Sequence, residues 1–148
     1  MNQRKILLVE DNPSDIALTK RALSKSRIVN ELIVAEDGRE ALDFIFAKGN
    51  YEGRNVNDLP ALVLLDLKLP KVDGLEVLRQ IRSDPRTTKL LVVILTSSKE
   101  EQDLSAGYEL HVNSYIQKPV NFSQFMDSVE QLGLYWLALN EPPPSYTS

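Results

Sequence analysis

Five positions scattered along the chain carry groups that could act together on a phosphoryl group: Glu10, Asp11, Asp66, Thr96 and Lys118. Each follows an apolar stretch. Glu10-Asp11 comes after Ile6-Leu7-Leu8-Val9, Asp66 ends Ala61-Leu62-Val63-Leu64-Leu65, Thr96-Ser97-Ser98 closes Leu90-Leu91-Val92-Val93-Ile94-Leu95, and Lys118-Pro119 follows Tyr115-Ile116-Gln117. Acids brought close together repel, and each resists ionising beside the others. A hard divalent cation resolves that conflict, and Mg²⁺ takes a few carboxylates, carbonyls and waters in octahedral geometry. A carboxylate held next to such a cation can attack phosphorus and form an acyl phosphate. The transferring group spreads charge over three oxygens, so positioning and neutralisation do most of the catalysis. Mg²⁺ meets one oxygen, an ammonium such as Lys118 meets another, and a hydroxyl such as Thr96 bonds the third.

These groups can meet only if the strands that carry them run side by side in the same direction. The run ending at Asp66 and the run ending at Thr96 are apolar throughout, the pattern of strands buried on both faces. Ile6 to Val9 and Leu32 to Ala35 are shorter strands, and Val112 to Ile116 is a fifth, less apolar strand suited to a sheet edge. Helix starts alternate with them. Asn12-Pro13-Ser14-Asp15, Asp37-Gly38-Arg39-Glu40, Asp73-Gly74-Leu75-Glu76, Ser98-Lys99-Glu100-Glu101 and Asn121-Phe122-Ser123-Gln124 each place a capping side chain before a helical pattern. Asp15 suits the positive end of the first helix. Its predicted apolar stripe is Ile16, Leu18, Ala22 and Leu23. Ala41, Leu42, Ile45 and Phe46 form the buried face of the second helix, and Leu75, Leu78 and Ile81 that of the third. Phe122, Phe125, Met126, Val129, Leu132, Trp136 and Leu137 form that of the last, with Val120 and Phe125 as a hydrophobic staple. Residues 48–59 read as a long exposed loop. Five strands alternating with five helices predict an α/β fold, a doubly wound, five-stranded parallel sheet with ligand chemistry at the carboxyl ends.

Composition narrows the function further. The chain has 148 residues, is 43% hydrophobic and 26% charged, and carries a net charge of −4. That suits one packed domain and gives no electrostatic case for nucleic-acid binding. The absence of cysteine excludes disulfides and thiolate chemistry. The apolar runs are far shorter than a membrane span, and no signal-peptide core is legible, so a cytoplasmic protein is expected. Residues 1–139 form the expected domain, and 140–148, with Pro142-Pro143-Pro144, an extended C-terminal tail.

Ile-Leu-Leu-Val-Glu-Asp-Asn at 6–12, Leu-Val-Leu-Leu-Asp-Leu-Lys-Leu-Pro at 62–70, Asp73-Gly74, Leu-Thr-Ser-Ser at 95–98 and Tyr-Ile-Gln-Lys-Pro at 115–119 together resemble the receiver domains of two-component response regulators. The resemblance spans residues 4–139 and implies the flavodoxin-like strand order 2-1-3-4-5. It implies that Asp66 is the phosphoacceptor and that a sensor histidine kinase donates from a phosphohistidine. Asp11, Asp66 and the backbone carbonyl of Lys68 would ligate Mg²⁺, with Glu10 acting through water. Lys118 would pair with Asp66 and then with the phosphoryl group, Thr96 would move toward it, and Tyr115 would turn inward as a switch. The loop with Glu52, residues 105–113 and Leu134-Tyr135-Trp136-Leu137 further resemble the stand-alone, usually dimeric regulators that serve cyanobacterial-type phytochromes.

The resemblance implies a single-domain phosphoacceptor that catalyses its own phosphorylation and dephosphorylation and is not an enzyme toward other substrates. Phosphorylation would shift a pre-existing two-state equilibrium, read out by contact with a downstream protein target or by onward phosphotransfer. Neither nucleic acid nor membrane is an expected partner. A homodimer is expected, with Trp136 at a partner surface. Two rivals remain. A receiver-like binding module that is never phosphorylated does not need the intact set of acids, hydroxyl and lysine. An aspartate-nucleophile phosphatase often places a second Asp two residues after its nucleophile, where this chain has Lys68. His111, the sole histidine, reads as a surface or packing residue, and Tyr115 is equally at home as an ordinary edge-strand aromatic.

Overall fold

In a computed structural model of the chain, residues 5–25, 31–96 and 110–133 are described. The expected helix opening at Ser98, the hydroxyls of Ser97 and Ser98, Trp136 and the proline-rich tail lie outside them. Five strands, β1 (Ile6–Val9), β2 (Leu32–Ala35), β3 (Leu62–Asp66), β4 (Val92–Thr96) and β5 (Ser114–Gln117), form one sheet in the order β2-β1-β3-β4-β5. Every pairing is parallel. Four helices are present among the described residues: α1 (Pro13–Lys25), α2 (Gly38–Phe46), α3 (Gly74–Ser83) and α4 (Phe122–Gln131). The fold is therefore the expected flavodoxin-like, doubly wound architecture.

The side-chain alternation of a strand divides the core in two. Leu7, Val9, Val63, Leu65, Val92 and Ile94 point to one face, where α2 and α3 contribute Ala41, Leu42, Phe44, Ile45, Val77, Leu78 and Ile81. Ile6, Leu8, Leu62, Leu64, Val93, Leu95 and Ile116 point to the other, under Ala22 and Leu23 of α1 and Phe125 and Val129 of α4. Chain direction changes sides between β1 and β3, so the exits of these two strands form the crevice where such sheets bind ligands.

The helix starts follow their caps. Asp37, Asp73 and Asn121 accept from the N–H groups of Glu40, Glu76 and Gln124, at 2.7, 2.9 and 2.8 Å. Val120 and Phe125, both buried in one cluster, form the expected staple. Two apolar residues expected in the core are not there: Leu18 and Phe122 are each 41% exposed. On α1 the buried place is taken by Thr19, and Leu18 turns to a groove shared with Ala22, Val120 and Phe122. The loop after α2 is also more tied down than its polar composition suggests. Arg54 donates to the carbonyls of Phe44 at 2.8 Å and Ile45 at 3.2 Å, filling acceptors left open by the end of α2, and its guanidinium lies over the Phe44 ring. Tyr51 donates to Glu40, and a 3-10 turn spans Gly49–Tyr51.

Arg82, in the last turn of α3, holds the far end of the sheet. Its guanidinium donates to the carbonyls of Thr88, Leu90, Leu110 and His111 and to Asn113 Oδ1, which itself accepts from the Val92 N–H at 2.8 Å. The segment entering β5 is thereby fastened to the start of β4.

Gly74 shows how tightly the helices meet the site. A Cβ there would stand 2.3 Å from the Asp66 carbonyl oxygen and 2.6 Å from Leu67 Cα. Only glycine lets α3 begin against the exit of β3. Gly74→Ala is expected to destabilise the fold by about 2 kcal/mol, the scale of overpacking against backbone. Gly53→Ala is the control, since nothing lies within 4 Å of its Cβ position. Urea denaturation of the two variants checks this.

Candidate functional site

Strand register sets the first contact. Val9 pairs with Leu65, so one residue further on Glu10 and Asp66 come abreast. Asp66 in turn pairs with Leu95, and Thr96 with Gln117, which draws β4 and β5 to the same rim. Alternation then selects a face. Glu10, Asp66 and Lys118 continue the rows of Leu8, Leu64 and Ile116, all on the α1 and α4 side. Lys118 is brought in by a 2.7 Å hydrogen bond from its N–H to the Thr96 carbonyl, and the Lys118–Pro119 peptide is cis.

Glu10 and Asp66 are buried, at 0% and 2% exposure, whereas Asp11 is open to solvent. Carboxylate oxygens of the three lie within 4.8 Å of one another. Lys118 Nζ is 3.0 Å from Asp66 Oδ2, 3.2 Å from Glu10 Oε1 and 3.4 Å from Asp15 Oδ2. The remaining oxygens are aimed by the backbone: Asp66 Oδ1 accepts from the Lys68 N–H at 3.2 Å and Glu10 Oε2 from the Asn12 N–H at 3.2 Å. Glu10 Oε1 has the Lys118 charge nearby but no hydrogen bond, although it is fully buried.

Burial and the adjoining Asp66 carboxylate push the Glu10 carboxyl up from its ordinary value of 4.5 to about 7, against the pull of Lys118 and the Asn12 N–H. Burial alone would lower the Lys118 ammonium. Asp66 and Glu10 outweigh it and hold the pKa above the usual lysine range. An unbonded buried oxygen and three converging hard-oxygen donors fit a small divalent cation, which demands such ligands. Glu10, Asp11 and Asp66 are the residues able to hold one.

Of the sequence-predicted site residues, Glu10, Asp11, Asp66 and Lys118 are brought together. Thr96 is buried at the end of β4, with its backbone joined to Lys118. The backbone of Lys68 meets Asp66 while its side chain is exposed. Tyr115 is half-buried and packs against the α2 and α3 cluster, on the opposite face from Lys118. His111 is exposed, with a left-handed φ of 60°. Asp15 is the residue missed. It read as a helix-dipole acid, and its position in the first turn of α1, over the face that carries Lys118, was the available signal.

A family model described as the response regulator receiver domain matches residues 6–130. The chain belongs to this family. Receiver domains accept a phosphoryl group on an aspartate and bind Mg²⁺ or Mn²⁺ in an acidic pocket. Among relatives, response regulator Rcp1 of Synechocystis sp. (strain ATCC 27184 / PCC 6803 / Kazusa) is 43% identical over 132 residues, 89% of this chain and 88% of that protein. A structure of Rcp1 in its Mn²⁺-bound form superimposes with a TM-score of 0.75 at 41% identity, covering 96% of this chain and 99% of that one. The bacteriophytochrome response regulator AtBRR gives a TM-score of 0.83 at 52% identity, over 92% of this chain and 96% of that one. The phosphorylated cyanobacterial phytochrome response regulator RcpA gives 0.76 at 41% identity, over 98% and 100%. The expected likeness to phytochrome-type regulators thus extends along almost the whole receiver domain. No helix among the described residues is long and apolar enough to cross a membrane.

The raised Glu10 carboxyl has a consequence for stability. Below about pH 4.5 it is protonated folded and unfolded alike; between there and about pH 7 the folded state alone keeps the proton. Stability from this group is therefore present at low pH and lost as pH rises through 7. In EDTA, melting temperature is expected to fall between about pH 5 and pH 8 by the equivalent of roughly 2–3 kcal/mol. Glu10→Gln should flatten that slope, and saturating Mg²⁺ should reverse it. Thermal melts across pH, with and without Mg²⁺, check all three.

Proposed function

We propose that this receiver is a single-domain response regulator whose phosphoacceptor is Asp66. The observation that carries the reading is the 3.0 Å contact between Lys118 Nζ and Asp66 Oδ2 at the buried exit of β3, beside Glu10 and Asp11. Asp11, Asp66 and the Lys68 carbonyl would hold Mg²⁺, with Glu10 assisting through water. Bound there, the cation supplies charge neutralisation for the transferring group. The chain's own residues do the rest. Backbone donation from Lys68 fixes the rotation of the Asp66 carboxylate, leaving one oxygen toward Lys118. Lys118 neutralises charge on the entering phosphoryl group, and Thr96 supplies a hydroxyl to it. Tyr115 reports the change along β5.

Resemblance to phytochrome-associated regulators supports a phytochrome-type sensor histidine kinase as the donor. Residues 1–139 form the receiver and 140–148 a tail, the protein works in the cytoplasm as a homodimer, and its output is contact with a downstream protein or onward phosphotransfer.

Incubation with Mg²⁺ and acetyl phosphate is expected to give an acid-stable, base-labile label on the native protein and none on Asp66→Asn. A native protein that stays unlabelled under these conditions would overturn the reading in favour of a binding module. Steady turnover of an added phosphoester would favour the phosphatase.

Lys68 is exposed two residues after the acceptor. On this reading its long cation shields the acyl phosphate from water. Lys68→Ala is expected to shorten the half-life of the labelled protein about threefold, a barrier change of about 0.7 kcal/mol. Decay of the label after removal of donor measures it, and equal half-lives would remove this role.

A further inference from the structure

A lysine ammonium has three N–H donors and no acceptor. Around Lys118 stand three carboxylates, Asp66 at 3.0 Å, Glu10 at 3.2 Å and Asp15 at 3.4 Å. They are held differently. Asp66 and Glu10 are buried strand-end residues, each with a second oxygen bonded by a backbone N–H. Asp15 comes from another element, the first turn of α1, and its side chain is 25% exposed. Among the described contacts, its carboxylate meets Lys118 and nothing else.

We propose that Asp15 is a positioning residue that tethers Lys118 toward α1 and so slows phosphorylation of Asp66. The proposal rests on the reading of Asp66 as phosphoacceptor. In the transfer step an Asp66 carboxylate oxygen attacks the donor phosphorus and the bond from phosphorus to the leaving oxygen breaks. With acetyl phosphate, acetate departs with the electron pair. The entering group brings oxygens that need a Lys118 N–H, and Asp15 already holds one. Of the three partners Asp15 is the cheapest to release, because water can replace Lys118 at a partly exposed carboxylate. Glu10 has no exposed surface. Asp15 therefore acts as a removable counter-ion, setting how much of the Lys118 charge is available to the incoming phosphoryl group.

The test is the rate of labelling by acetyl phosphate with saturating Mg²⁺. Asp15→Asn keeps the side-chain shape and removes the charge. It is expected to label about three- to tenfold faster than native protein, a modest factor because solvent screens a partly exposed pair. Asp15→Glu should restore the native rate. In a Lys118→Met background the Asp15→Asn gain should shrink to less than about twofold, since the tether then has nothing to hold. Equal or slower labelling of Asp15→Asn, or an undiminished gain without Lys118, would overturn the proposal. A second readout needs neither metal nor donor: in ¹⁵N-labelled protein, the Lys118 ammonium should exchange its hydrogens faster in Asp15→Asn, and unchanged exchange would overturn the tether. Absence of label on native protein would sink the phosphoacceptor reading alone, leaving the exchange experiment to judge the contact. Should Asp15→Asn not fold, Asp15→Ser makes the same removal of charge.

Discussion

Three carboxylates, those of Glu10, Asp15 and Asp66, face the half-buried Lys118 ammonium at the exits of β1 and β3, and a fourth, that of Asp11, stands beside Glu10 and Asp66. Their mutual repulsion is the constraint around which the rest of the chain is arranged. Unfolded, these acids would drift apart and be hydrated. Folded, two of them are buried, and Lys118 compensates only part of their charge, which is why the Glu10 carboxyl is pushed toward neutrality. Such a site persists only if the surrounding structure leaves it no room to relax. Two apolar clusters above and below the central strands supply that rigidity, with β1, β3 and β4 buried along their whole length.

The same rigidity extends to residues with no charge role in the site. Gly74 lets α3 start against the carbonyl of Asp66, and Gly38, whose Cβ would stand 1.7 Å from the Val72 carbonyl oxygen, brings α2 against the end of the same loop. Between them the segment from Leu67 to Asp73 is gripped at both ends, so the Lys68 N–H that aims Asp66 cannot wander. At the opposite end of the sheet, Arg82 spends its guanidinium on four carbonyls and one amide oxygen to seat the edge strand β5. Lys118 follows directly on that strand, so the position of the ammonium is decided partly by an arginine at the other end of β4.

Strand number and direction were legible because buried parallel strands write themselves as continuous apolar runs, and because a caps-then-periodicity signature preceded each described helix; the strand order came from the resemblance to receiver domains. Glu10, Asp66 and Lys118 were legible for a related reason: strand exits are where such sheets gather chemistry. What stayed hidden has equally physical causes. Leu18 and Phe122 fit the helical apolar pattern, yet period alone does not say which flank of a stripe the sheet covers; neighbouring Thr19 took the buried place instead. Residues 48–59 are polar, and composition gave no hint that Arg54 would cap α2 and cover Phe44. Asp15 was visible as an acid in a first turn, but its reach to Lys118 depends on how α1 crosses the sheet, which is a tertiary fact.

Those tertiary contacts give Lys118 partners that differ in what it costs to let them go. Glu10 has no exposed surface and one oxygen without a hydrogen bond, so losing Lys118 would leave a buried charge with only the Asn12 N–H beside it. Asp66 keeps the Lys68 N–H on its other oxygen and is the group that, on the proposed reading, changes chemically. Asp15 can turn to solvent. An ammonium held by three equal partners would be locked, and one held by a single partner would be loosely placed before the reaction. Unequal partners permit both placement and release, in an order fixed by exposure. On this view the sheet supplies the two strongly held acids because strands bury what they carry, and a helix supplies the third because its first turn lies at the edge of solvent.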